Sequence, residues 1–234
     1  MREKDKAGGA VGSGGGRPPV VDIGHDPQLF VDDYLVDNRW GMKDQAEAMV
    51  RFFHPPRKDE RNPLIAENGG YVNVARDERT GLFRMWYQEF WDQSLNPRKY
   101  TYGIAYAESK DGIHWKLPRI GKFSFKNTLD NNIVLLSPSG GDAEGQSVLD
   151  LPKEVRRGYN YIMLYATYDP EHRGMHLIGS HDGIDWDPAS DTLIAPGFTP
   201  DTHNSILWDP RQRKYVCFTR AVNIYNDENG LRRR

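Results

Sequence analysis

The sequence predicts an all-β fold assembled from repeated antiparallel units. Three observations lead there: a strand-and-turn composition, three copies of a strand, acidic turn, strand pattern, and two copies of a tight-turn heptapeptide. Phe, Trp and Tyr make up 12% of the 234 residues, alongside 23 glycines and 15 prolines. Aromatic side chains suit the pleated, half-buried surface of a strand, while Gly and Pro punctuate the chain into turns.

The repeats decide the architecture. VARD, ending at Asp77, is followed by FRMWYQ (Phe83 to Gln88). VLD, ending at Asp150, is followed by YIMLYA (Tyr161 to Ala166), and LWD, ending at Asp209, by YVCFTR (Tyr215 to Arg220). Behind the first two units lie AYAESKDGIHW (Ala105 to Trp115) and HLIGSHDGIDW (His176 to Trp186), which share Ser-x-Asp-Gly-Ile-x-Trp. In that heptapeptide Asp-Gly supplies a tight turn with positive φ, Ser and Asp bond its backbone, and Trp packs beneath the hairpin. It reads as a structural staple rather than a catalytic element.

Trp115 and Trp186 stand 71 residues apart. That exceeds the repeat of about 40 to 50 residues in common propellers, so each unit is expected to be a four-stranded blade with long loops. Asp77 precedes Trp115 by 38 residues and Asp150 precedes Trp186 by 36, and the same interval from Asp209 places a third such tryptophan beyond Arg234. The expectation is therefore an incomplete ring of roughly two and a half blades, whose open strand edge favours self-association. Gly230 to Arg234 would enter the third strand of the third blade. Residues 1–27, which include Gly14-Gly15-Gly16, carry too little apolar surface to offset their ordering entropy and are expected to be a disordered tail. The ordered domain is expected over 28–234, opening with LFVDDYLV (Leu29 to Val36).

Charge narrows the partners. A net charge of −2 with 27% charged residues gives no electrostatic footprint for nucleic acid or an anionic membrane. Gly14 to Gly16 precede no Lys followed by Ser or Thr, so they do not form a phosphate loop. No apolar run approaches the roughly 18 to 20 residues of a transmembrane helix, and no signal-peptide core is visible, which leaves a cytoplasmic location as the default. Cys217, within the apolar run Tyr215 to Phe218, is expected to be a buried small hydrophobe. Neither a metal nor a cofactor is expected.

LFVDDYLVD, RNPLI (Arg61 to Ile65), LFRMWY, SKDGIHW, DNNIVL (Asp130 to Leu135) and DTHNSILWDPRQRKYV (Asp201 to Val216) together resemble bacterial glycoside-hydrolase-like five-bladed β-propellers, related in fold to families 32, 43 and 117. The resemblance runs from Gln28 to the C-terminus. It implies an active site at the centre of the ring, built from carboxylates at the starts of the innermost strands. Glycoside hydrolysis there needs one carboxyl kept protonated and one ionised.

Carried onto this chain, the resemblance points to Glu67, where the family usually has Asp, to Asp142 or Glu144 in GGDAEGQSVLD, and to Asp201. His203 and Asn204 beside Asp201 would add a proton-transfer group and fixed donors for sugar hydroxyls. The alternative is that Asp201 and Asn204 only satisfy backbone groups of the turn after Pro200. Tyr71, Trp91 and Tyr102 are candidate stacking platforms, with Trp91 expected to be exposed in an irregular insertion between Glu89 and Asp92. Arg220 would bind an acidic sugar or pair with a carboxylate. The expected function is that of a glycoside hydrolase or glycosidase-like protein acting on an oligo- or polysaccharide. The alternative is a non-catalytic carbohydrate-binding or interaction propeller. A sialidase would need clustered arginines and a Tyr nucleophile, which this sequence does not assemble.

Overall fold

In the computed structural model the described residues are 22, 24–25, 54–65, 69–92, 100–198, 200, 202–220, 224–227 and 230–233. The chain divides into two compact units, Met1–Arg57 and Lys58–Arg234. The second is all-β, made of antiparallel sheets whose strands pair with their neighbours in sequence.

The first sheet contains β1 (Gly69–Arg76), β2 (Phe83–Asp92), β3 (Tyr100–Ser109) and, along the outer edge of β3, two short strands. β4 (Trp115–Lys116) pairs with the C-terminal end of β3 and β5 (Ile133–Leu135) with its middle, at Ile104 and Ala105, so the loop 117–132 interrupts what is otherwise the fourth strand. In the second sheet β6 (Glu144–Asp150), β7 (Tyr161–Thr167), β8 (Gly174–Ser180) and an uninterrupted β9 (Trp186–Pro196) follow the same order. β10 (Ser205–Asp209) and β11 (Lys214–Phe218) form a hairpin, as do β12 (Ile224–Asp227) and β13 (Gly230–Arg233). Gly230–Arg233, expected as the third strand of a third unit, pairs with β12 instead.

Alternation along the strands layers these sheets face to face. On β2, Trp86 joins a core with Tyr106, Tyr161, Met163, Tyr165 and Trp186, while Met85 and Tyr87 point the other way into a cluster around Phe125 and Ile133. On β7, Ile162, Leu164 and Ala166 take the opposite face and pack with Ile206 of β10. The period of two therefore places one face of the second sheet on the first sheet and the other face on the β10–β11 hairpin.

The heptapeptide turns are the staples expected of them. Ser109 Oγ accepts from the Asp111 and Gly112 amides, at 3.2 and 3.0 Å, and Asp111 Oδ1 accepts from Ile113 and His114, both at 2.8 Å. Ser180 and Asp182 repeat the pattern on Asp182, Gly183, Ile184 and Asp185. Gly112 and Gly183 sit at φ +75° and +77°, which a Cβ would strain. The second turn does more than close its own hairpin, since Trp86 Nε1 donates to the Gly183 carbonyl at 2.7 Å and Arg84 to that of Asp182 at 2.6 Å. It therefore docks one sheet on the next.

Two expectations fail locally. Cys217 is exposed, because β11 pairs only with β10 among the described residues and its outer face is left bare. Trp91 lies within β2, which continues past Gln88 to Asp92 because β3 pairs with it along its whole length. It packs edge-on against Phe125 and is partly buried.

Candidate functional site

The starts of β1, β6 and β10 come together at one end of the sheets, and a shared irregularity marks the first two. Register slips by one residue between Gly70 and Asn73 in β1, and again between Glu144 and Ser147 in β6. The residue opening each bulge is left-handed, Tyr71 at φ +48° and Gly145 at φ +60°. Glycine takes that conformation freely, whereas in an aromatic residue it is a strained outlier of the kind that clusters at functional sites.

Side chains from the three strand starts interlock there. Tyr71 is 40% exposed, and its ring stacks on His203 with centroids 5.5 Å apart. Asn73 Nδ2 lies 3.4 Å from His203 Nε2, and Gln146 Nε2 donates to the Tyr71 carbonyl. Gln88 Oε1 accepts from the Gly145 amide at 3.0 Å. Burial holds the His203 imidazole below its usual pKa, opposed by a hydrogen bond to the Gln146 backbone. It is thus a neutral ring whose Nε2 faces an amide donor. Two oxygens of the cluster, Asn73 Oδ1 and Gln146 Oε1, are buried with no hydrogen-bond partner among the described residues. Unsatisfied buried acceptors are costly, which makes these two oxygens an unusual feature of the junction.

The acidic residues are placed as follows. Asp142 ends the loop after β5, and its Oδ1 accepts the Tyr102 amide at 3.1 Å. Ala143 returns its own N–H to the Tyr102 carbonyl at 3.0 Å. Together these bonds tie the loop to β3 and deliver Glu144, buried at 7% exposure, as the first residue of β6. Glu67 and Asp201 lie outside the described residues.

Asn204 is buried and committed to the backbone. Its amide and its side-chain Nδ2 both donate to the Gly145 carbonyl, at 3.1 and 2.8 Å, Nδ2 also reaches the Thr202 carbonyl, and Oδ1 accepts from Thr219. The Thr202 bond falls within the turn after Pro200, and the two bonds to Gly145 reach across to the start of β6. Tyr102 is half-buried against Phe90, and Arg220 is exposed just past β11.

Asn73, Gln88 and Gln146 escaped the sequence reading. Asn73 lies two residues after Tyr71 in β1, Gln146 one after Gly145 in β6, and Gln88 inside β2, and no local sequence pattern marks the three as a set. No group of three or more His, Cys, Asp or Glu among the described residues is arranged to hold a metal ion.

No protein-family model and no curated protein matches the chain. Among solved structures, it is similar to an N-acetylgalactosamine deacetylase from F. plautii, determined in complex with blood group B trisaccharide, at 16% identity and a TM-score of 0.39. The likeness covers 62% of this chain and 37% of that protein.

Proposed function

We propose that the sheets are successive blades of a β-propeller and that the junction of β1, β6 and β10 is a carbohydrate site. The observation that carries this reading is the strained, half-exposed Tyr71 stacked on His203 beside two unpaired amide oxygens. A flat aromatic face suits the apolar face of a sugar ring, and unpaired acceptors suit its hydroxyls. Cleavage of a glycosidic bond would fall to carboxylates at the strand starts, with Glu144 leading among the described residues and Glu67, Asp142 and Asp201 completing the set. One would give a proton to the leaving oxygen, and another would act as base or nucleophile from the opposite side.

A second reading, carbohydrate binding without cleavage, is favoured by the ties on Asp142 and Asn204, whose polar atoms already serve backbone groups. The two readings separate in one experiment on the 234-residue chain. Binding to a glycan panel, followed by reducing-end release from the bound glycans, is measured for the parent, Tyr71→Ala, Glu144→Gln and Asp201→Asn. The hydrolase predicts loss of binding in the first variant, and retained binding without turnover in the other two. Binding with no turnover in the parent selects the second reading. Glycan binding unaffected by Tyr71→Ala would refute the site itself.

A further inference from the structure

The turn that delivers Asp142 and Glu144 is braced from behind by a second polar cluster. His176 on β8 is 3% exposed, and its ring stacks on Tyr165 of β7 at 5.1 Å. His176 Nδ1 lies 3.1 Å from Asp191 Oδ1 on β9, and Nε2 lies 2.7 Å from the His172 carbonyl oxygen in the β7–β8 loop. Asp191 Oδ2 accepts the Tyr165 hydroxyl at 2.8 Å.

Both partners of the ring are acceptors, a carboxylate and a carbonyl. A neutral imidazole has one N–H and one lone pair, so one of these contacts would set lone pair against lone pair. Two N–H groups satisfy both.

The same loop reaches the candidate site. Asp169 accepts its own loop's Glu171 amide at 3.2 Å and bonds Ser137 and Ser139 across the β5–β6 loop. That loop closes on itself through the Gly141 amide, donated to Ser137 Oγ at 2.8 Å, and ends at Asp142. His176 thus holds His172, whose loop holds Asp169, which holds the turn carrying the carboxylates.

We propose that His176 is a buried imidazolium acting as a positioning residue, a pH-sensitive clamp that orders the β7–β8 loop and, through Asp169, the turn bearing Asp142 and Glu144. The titratable groups facing it are Tyr165 from β7, Asp191 from β9, and Asp169 and His172 from the loop. Burial opposes its charge, but the bonds to Asp191 and His172 and the nearby Asp169 carboxylate outweigh this and raise its pKa above the ordinary value of 6.5. The raised value fixes the sign. The clamp's contribution is complete below the ordinary histidine pKa and is lost as pH rises through the raised one.

The proposal concerns the same site as the proposed function, but its readouts need no ligand, so the two fail separately. The intact chain is examined by nitrogen-15 NMR of its histidine rings and by amide exchange between pH 5 and 9, corrected for intrinsic exchange. Two ring N–H signals are expected for His176, together with loss of protection at Gly141 and Ala143 as the ring deprotonates. His176→Gln should fold, since an amide still donates one bond, yet lose that pH dependence. Asp191→Asn should move the ring's titration to lower pH. A single ring N–H below pH 6, or protection at Gly141 that follows the same course in parent and His176→Gln, would overturn the proposal.

Discussion

Replacing Gly145 by alanine is the most direct perturbation of the strand-start junction. Gly145 sits at φ +60°, where an L-residue costs about 1–2 kcal/mol. A Cβ built there overlaps the Thr202 carbonyl oxygen and comes within 2.9 Å of Asn204 Nδ2, and both neighbours belong to the bonds joining β10 to β6. Displacing Asn204 exposes the Gly145 carbonyl and the buried amide to a loss of about 1–3 kcal/mol. The sum is about 2–5 kcal/mol, which for a domain of this size lowers the melting temperature by roughly 4–20 °C. Gly140→Ala is the control, since it is also left-handed, at φ +77°, but its Cβ would meet nothing within 4 Å. Urea unfolding followed by tryptophan fluorescence measures both. Equal losses in the two variants, or a loss under about 1 kcal/mol for Gly145→Ala, would show that the Asn204 clamp does not join the hairpin to the second sheet.

Tyr71→Gly removes both backbone strain and a stacking partner, terms of about 1 kcal/mol each with opposite sign. Stability measured by urea midpoint should stay nearly constant while the His203 ring resonances shift; a large stability loss would contradict the strain. The two staple turns should respond unequally to alanine. Gly112→Ala leaves its Cβ 3.9 Å from the Phe83 ring and costs about 1 kcal/mol, whereas Gly183→Ala meets Trp86 Cζ2 at 2.7 Å and costs about 2–4 kcal/mol. Equal thermal shifts would refute the docking role of the second turn. Because burial lowers the His203 pKa, its neutral form stabilises the fold above the unfolded value near 6.5, and stability falls as pH drops from there toward the lowered folded value. His203→Gln should flatten the acid side of the unfolding free energy between pH 7 and 5; an unchanged slope would remove His203 from the titration.

Much of the architecture was legible because it rests on local chemistry. The Ser-x-Asp-Gly-Ile-x-Trp turns make their hydrogen bonds within six residues, so their form follows from sequence alone. The units ending at Asp77, Asp150 and Asp209 likewise mark β1, β6 and β10, which end at Arg76, Asp150 and Asp209. What could not be read depends on neighbours distant in the chain. Asn204 and Gly145 are 59 residues apart, and nothing local shows that the Asn204 amide is spent on that carbonyl. The broken fourth strand of the first sheet was hidden because Ile133–Leu135 reads as a separate strand until its pairing with β3 is known. Cys217 was misjudged for the same reason, since an apolar run shows strand character but not which of its faces is covered.

The docking of Trp86 under Gly183 has a consequence for the order in which the chain is made. Strands β1 to β5 are complete once Leu135 has been synthesised, and each pairs with a near neighbour in sequence. The first sheet can therefore form early, but among the described residues the face bearing Trp86 and Tyr106 packs against Tyr161, Met163, Tyr165 and Trp186, all later in the chain, and the bond from the Trp86 indole waits for Gly183. At ribosomal rates of about 5–20 residues per second, Gly183 follows Leu135 by roughly 2–10 seconds. During that interval the nascent chain presents two large aromatic residues to any chaperone or aggregate within reach, and the arrival of the second staple turn ends the exposure.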